Sequence, residues 1–196
     1  MKKLLLFVIA CTLGLFGTLR AQDDVVTIGE DATKESSVFP IPTYKSQMLS
    51  QTLYTASAIN HAPATITSIA FKKASDDAVR NLTVYLKNTD KETLSAWEEF
   101  SDTDKVYTNA SLTTSSVDGW MTLELDTEFE YTGGGILVIA WDRTGSTSYK
   151  SGCLYTDIGV QTAIYNDNST LTEDNYLTYP ANSSTRQPSI KFAFQN

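Results

Sequence analysis

The side chains that could do chemistry in this 196-residue chain are few: one histidine, two cysteines and an excess of carboxylates, 23 acidic against 15 basic residues. Zinc chemistry needs three or four His, Cys or carboxylate ligands converging on one point. His61 stands alone between Asn60 and Ala62 and reads as a surface residue in a loop. A Ser–His–Asp triad would have to use the same His61, and no G-x-S-x-G elbow is present. Gly133, Gly134 and Gly135 lack the lysine and the following helix of a phosphate loop. Glycoside hydrolysis needs two carboxylates at a set separation. Glu98 and Glu99 are adjacent, and Glu124 and Asp126 share one strand face, but so acidic a chain supplies such pairs by chance. Asn166, Asp167, Asn168, Asp174 and Asn175 offer oxygen ligands for calcium without EF-hand spacing. These residues predict no enzyme, no metal and no cofactor.

Aromatic residues on strands are the better candidates for binding. Asn81 to Lys87 (NLTVYLK) alternates cleanly, so Leu82, Val84 and Leu86 face a core while Thr83, Tyr85 and Lys87 face away. Gly119 to Asp126 alternates too, with Met121, Leu123 and Leu125 inward and Trp120, Thr122, Glu124 and Asp126 outward. Outward aromatics can stack on sugar rings or dock a protein, with neighbouring hydroxyls supplying hydrogen bonds. The candidate binding residues are therefore Tyr85, Trp120, Thr83 and Thr122, with Tyr85 partly exposed and Trp120 structural. The same aromatics can equally be the second face of a sandwich strand.

The elements that would position them are mostly strands. Ile136 to Ala140 is continuously apolar, which predicts a strand covered on both faces. Together with the alternation before it, this predicts full burial of Leu125 and Ile139. Asp23–Gly29, Ser46–Tyr54, Thr65–Lys72, Lys105–Thr108, Ser111–Thr114, Ser148–Ser151, Leu154–Tyr155, Ala163–Asn166 and Pro188–Phe194 read as further short strands. Val38 to Pro42 carries two prolines and reads as an edge. Thr55–Asn60 reads as one helical turn. Thr89 and Glu92 stand at capping-box spacing, which predicts a short helix over Lys91–Phe100. Asp167–Thr185 is polar and reads as a long surface loop. The pattern is that of an all-β, two-sheet antiparallel β-sandwich, jelly-roll-like, with at most one short helix.

Residues 1–21 read as an export signal: Lys2 and Lys3, an apolar stretch, then Ala21. Residues 22–196 then form a single β-sandwich domain. Val8-Ile9-Ala10-Cys11 is a competing lipobox, which would place a lipid anchor at Cys11. The formal charge of −8 becomes more negative once Lys2, Lys3 and Arg20 are removed. Such a chain repels nucleic acid and anionic membrane surfaces, and no membrane insertion is expected of the remainder. Cys153 would then be the last cysteine, a small buried apolar residue with no intrachain disulfide.

The succession VVTIG, PIPTYKSQMLSQTLYTASAI, ATITSIAFKKA, RNLTVYLKNTDKETLSAW and GWMTLELDTEFEYTGGGILVIAWD resembles the adhesin-type β-sandwich modules of Bacteroidetes surface proteins. Those modules accompany fibronectin type III and gingipain-like regions. The resemblance covers residues 25 to 194. It implies a jelly-roll-like fold and export to the periplasm, the cell surface or the medium, and it transfers no catalytic or binding residues. The expected function is a non-enzymatic binding or adhesion module for an extracellular glycan or protein surface. A structural subunit of a surface assembly is the alternative, and a glycoside hydrolase-like enzyme the third reading.

Overall fold

The computed structural model describes residues 24–36, 40–41, 45–74, 79–145 and 152–195. The strands are β1 (Asp24–Ile28), β2 (Lys34–Ser36), β3 (Met48–Tyr54), β4 (Ala64–Lys72), β5 (Val79–Thr89), β6 (Lys105–Thr113) and β7 (Trp120–Tyr131). They continue with β8 (Gly135–Asp142), β9 (Cys153–Asp157), β10 (Ala163–Asn166), β11 (Asn182–Ser184), β12 (Arg186–Pro188) and β13 (Ile190–Gln195). The one α-helix among the described residues is the single turn α1 (Ala56–Ile59), capped by the Thr55 hydroxyl and closed by Asn60 in the left-handed region. Two 3-10 turns accompany it, Asp102–Asp104 and Tyr176–Thr178.

The described residues form three sheets, in the orders β1-β13-β4-β7, β11-β10-β3-β8-β5-β6 and β12-β9-β2. Every strand pairing among the described residues is antiparallel. The two larger sheets face each other as an all-β sandwich. The period-two alternation puts Leu82, Val84 and Leu86 of β5 into the shared core with Ile66, Ile69 and Phe71 of β4, Met121 and Leu123 of β7, and Ile190, Phe192 and Phe194 of β13. Each fully buried side chain of this kind contributes about 1.5–3 kcal/mol relative to exposure.

The six-stranded sheet is covered on its other face as well. Leu49, Leu53, Tyr85, Leu137, Ile139 and Trp141 point away from the sandwich core and pack against Leu94, Leu171 and Tyr176. That second cover explains why β3 and β8 are buried along their whole length. It is built from irregular chain. The helix predicted over Lys91–Phe100 does not form; residues 91–101 run as an irregular strap. Gln51 of β3 grips the strap from both sides, donating through Nε2 to the Glu98 carbonyl (2.7 Å) and accepting the Glu98 N–H (2.9 Å). Gln161 donates to the Leu94 carbonyl, and the Trp97 indole donates to the Tyr179 carbonyl. A helix would have taken those backbone groups for itself, so tertiary hydrogen bonds override the local capping signal.

Other expectations also change. Residues 167–185 are not a plain surface loop, because Leu171 and Tyr176 are buried in the second cluster and Asn182–Ser184 is a strand. Lys105–Thr113 is one strand rather than two. Ile139 is fully buried, but Leu125 is only partly so. Between Ile66 and Ser68 the β4–β7 ladder jumps from Phe129 to Glu124, so Leu125 sits in a bulge that leans toward β6. Asp126, in the same bulge, accepts the Thr108 N–H of β6 at 2.8 Å. His61 is not a plain surface residue either. Its ring stacks on Phe194 at 3.9 Å, its Nδ1 is 2.6 Å from the Ala62 carbonyl and its Nε2 is 3.3 Å from Asp24. Cys153 is a free, buried thiol that burial pushes above its ordinary pKa. Residues 1–21 with Cys11, Val38–Phe39 and Ser148–Ser151 lie outside the described residues.

The glycines before β8 serve two different needs. Gly133 has φ +90°, a conformation glycine adopts without steric cost. Gly135 has no such φ, yet a Cβ there would meet the Tyr54 carbonyl at 3.0 Å and the Thr89 carbonyl at 3.1 Å. Neither oxygen can retreat, since each belongs to the end of a neighbouring strand. Gly135→Ala is expected to cost about 1–3 kcal/mol, read as a lower urea midpoint. An unchanged midpoint would show that β3 and β5 yield at this end.

Candidate functional site

The four residues singled out in the sequence do not form one site. Thr83 and Tyr85 lie on β5 in the six-stranded sheet, Trp120 and Thr122 on β7 in the other. Tyr85 does not reach the surface as expected: only 2% of it is exposed, and it lies beneath the strap against Phe100 (ring centroids 4.6 Å apart). Thr83 is buried too, its hydroxyl 3.3 Å from that of Thr108 and accepting from the Arg143 guanidinium. Trp120 has the outward parity predicted but is only 7% exposed, with the ammonium groups of Lys191 and Lys72 4.3 and 5.9 Å from its ring. Thr122 alone of the four is open to solvent.

A cleft lies elsewhere, where the chain passes from one sheet to another. Residues 182–184 pair with β10 in the six-stranded sheet, and residues 186–188 pair with β9 in the small sheet. Thr185 is the hinge between them. β9 and β10 diverge from this point and are joined by residues 158–162, held back to the hinge by the Ile158 N–H on the Thr185 carbonyl (3.1 Å). The divergence opens a cleft of about 420 Å³ lined by Asp157, Gln161, Tyr165, Ser183, Ser184, Thr185 and Arg186.

Its chemistry is a mixture of donors and acceptors fixed in place. Asp157 accepts from the Thr185 hydroxyl and the Gly159 N–H, and these bonds, with Lys34 and Arg186 nearby, hold its carboxyl below the usual range. It is therefore an ionised acceptor at neutral pH. The Arg186 guanidinium stacks over Tyr155 at 5.0 Å, which fixes its plane. Tyr165 brings an aromatic edge from β10 and is partly packed on Met48 and Ala163. Ile158 (39% exposed) and Val160 (44%) flank Gly159, at φ +70°, in the connection between the lining residues Asp157 and Gln161. A second depression of about 210 Å³, lined by Asp31, Ala32, Thr33, Lys34, Tyr155, Thr156 and Asp157, adjoins the first at Asp157.

Sequence reasoning missed this site because its residues are separated along the chain and meet only through strand pairing. The local trace was there: Asp157-Ile158-Gly159-Val160-Gln161 sets two branched aliphatics around a turn glycine, a poor pattern for either a strand or a soluble loop. A third, smaller hollow of about 150 Å³ opens at the buried Tyr85, bounded by Phe100, Ser101, Asp102, Glu173 and Tyr176. Among the described residues no group of three His, Cys, Asp or Glu side chains is placed to hold a metal ion, and no helix is long and apolar enough to cross a membrane.

The fold and cleft define an antiparallel β-sandwich with a polar cleft at the seam between sheets. No protein-family profile, curated protein or solved structure matches this chain.

Proposed function

We propose that this chain is an exported, non-enzymatic binding module, of the adhesin-type class seen in Bacteroidetes surface proteins, that takes a neutral extracellular glycan in the cleft at Thr185. The observation that carries this reading is the lining: one oriented carboxylate, one guanidinium, an amide, three hydroxyl residues and the partly buried Tyr165. Sugar rings present vicinal hydroxyls that donate and accept together, with apolar faces between them. Asp157 and Arg186 suit the first, Tyr165 the second. Among the described residues that line the cleft Asp157 is the one carboxylate, whereas glycoside hydrolysis uses two. The formal charge of −8 disfavours sulfated or uronic polymers.

The test is a glycan array of neutral and anionic oligosaccharides, followed by titration of the hits. Asp157→Asn and Arg186→Met should each weaken binding by at least about tenfold, the loss of a charge-assisted hydrogen bond. Both side chains are exposed, so the melting temperature should stay within a few degrees. A preference for polyanions that strengthens in low salt would overturn the reading. A second reading, a structural subunit held by strand addition, takes support from β1. That strand stands at the end of its sheet and exposes Val25. It expects self-association that a proline at Val25 abolishes.

A further inference from the structure

We propose that the small hollow bounded by Tyr85, Phe100, Tyr176, Ser101, Asp102 and Glu173 is a second binding site, one that holds a small organic ammonium group, primary or methylated. Three features of the geometry support this. The walls are aromatic: Phe100 lies 4.6 Å from Tyr85 and 4.8 Å from Tyr176, centroid to centroid. Aromatic faces are negative and attract cations that have shed part of their water. The mouth carries two carboxylates, Asp102 and Glu173. The volume of about 150 Å³ matches that of cavities that hold a single benzene-sized molecule.

The Tyr85 hydroxyl is the independent sign that something is meant to be bound. Tyr85 is only 2% exposed and borders the hollow; its hydroxyl bonds no other described residue and is not among the fully enclosed polar atoms, so it opens on the hollow. The Tyr176 hydroxyl, across the same hollow, is fully engaged, accepting the Phe100 N–H and donating to the Glu98 carbonyl. A hydroxyl that opens on the hollow with no protein partner is free to accept from a guest, and a primary ammonium supplies the donor.

The nearby cations of the protein, Arg143 and Lys105, are not among the residues that line the hollow. Arg143 pairs with Glu173 at 3.2 Å and stacks over Trp141 at 5.1 Å, and Lys105 pairs with Asp102 at 2.7 Å. The Tyr85 hydroxyl is pushed up to about 12, first by burial and next by Glu173, whose effect exceeds the opposing one of Arg143. The two carboxylates at the hollow favour a cation over an anionic guest. A guest as small as this would bind with millimolar affinity as a free amine. It would bind more tightly as the tip of a lysine in a protein partner.

The experiment is an NMR titration of the whole protein. The probes are tetramethylammonium chloride, methylammonium chloride, a lysine-containing tripeptide, tert-butanol as a neutral isostere, and sodium chloride at equal ionic strength. Saturable shifts at Tyr85, Phe100 and Tyr176 are expected with the ammonium probes alone. Glu173→Gln and Asp102→Asn, both at exposed positions, should each weaken them at least threefold. Tyr85→Phe should weaken methylammonium and spare tetramethylammonium, which has no N–H to donate. Tighter binding of the tripeptide than of methylammonium would assign the site to a protein lysine, and equal binding to a free amine. Shifts that fail to saturate, or tert-butanol binding as well as tetramethylammonium, would overturn the proposal.

Discussion

Arg80→Met is expected to lower stability by about 3–5 kcal/mol, because it strands a carboxylate in the protein interior. Arg80 and Asp142 are 1% and 0% exposed, and the guanidinium Nε meets the carboxylate at 2.5 Å. The surroundings satisfy both groups. Arg80 Nη2 donates to the Lys45 carbonyl, and the other carboxylate oxygen accepts the Thr144 N–H and hydroxyl. That hydroxyl in turn accepts the Asn81 N–H, tying β5 to the chain leaving β8. Burial raises the Asp142 pKa, and Arg80 is the largest influence holding it down. Without Arg80 the folded-state value rises further above the unfolded one. A group shifted upward supplies stability that is complete below its unfolded pKa and is lost as pH rises through the folded value. The deficit of Arg80→Met should therefore be widest near neutral pH and shrink as the pH falls into the carboxylate range. Urea denaturation at pH 7 and pH 4.5 measures both. Combining Arg80→Met with Asp142→Leu should recover much of the loss, since two apolar groups leave no buried charge. A deficit that is small or independent of pH would mean that water reaches the pair.

Trp141→Ala should cost a similar amount, about 3–5 kcal/mol, for a different reason. Trp141 is the largest fully buried side chain of the outer face of the six-stranded sheet. Phe100 and Tyr176 meet it edge-on at 6.1 and 6.4 Å. Removing it takes the floor from under the strap and from under residues 171–179 together. Its indole N–H is buried with no hydrogen-bond partner, so Trp141→Phe deletes an unsatisfied donor as well as some volume. That variant should cost less than half of what Trp141→Ala costs. Comparable losses for the two would mean that the indole nitrogen is hydrated. Against a typical domain stability of about 5–15 kcal/mol, either Trp141→Ala or Arg80→Met alone removes a large share of the margin.

The sandwich was legible because period two is a local signal. Leu82, Val84 and Leu86 announce their face without reference to any partner, and the unbroken run Ile136–Ala140 announces a strand covered on both sides. The identity of the second cover was not legible. Tyr85 and Thr83 have the parity of exposed residues, and nothing near them in sequence says that Leu94, Leu171 and Tyr176 will close over that face. The same gap misplaced the helix at Lys91–Phe100: capping-box spacing is local, whereas Gln51 and Gln161, which hold that segment out of a helix, lie 47 and 67 residues away from their partners. Leu125 carries the correct parity but falls in a bulge, which periodicity cannot register. The cleft was least legible of all. It exists because one segment changes sheets at Thr185, a consequence of pairings between β9, β10, β11 and β12 that no single stretch encodes.

The central claim, that the cleft at Thr185 receives a neutral glycan, is tested most directly by mapping a bound oligosaccharide on the protein by NMR. A neutral hit from the array should shift the resonances of residues 157–161, Tyr165 and residues 183–186 in a saturable way, and Asp157→Asn should remove those shifts without moving the rest of the spectrum. Shifts centred instead on the open face of β7 around Thr122, or persisting unchanged in Asp157→Asn, would contradict it.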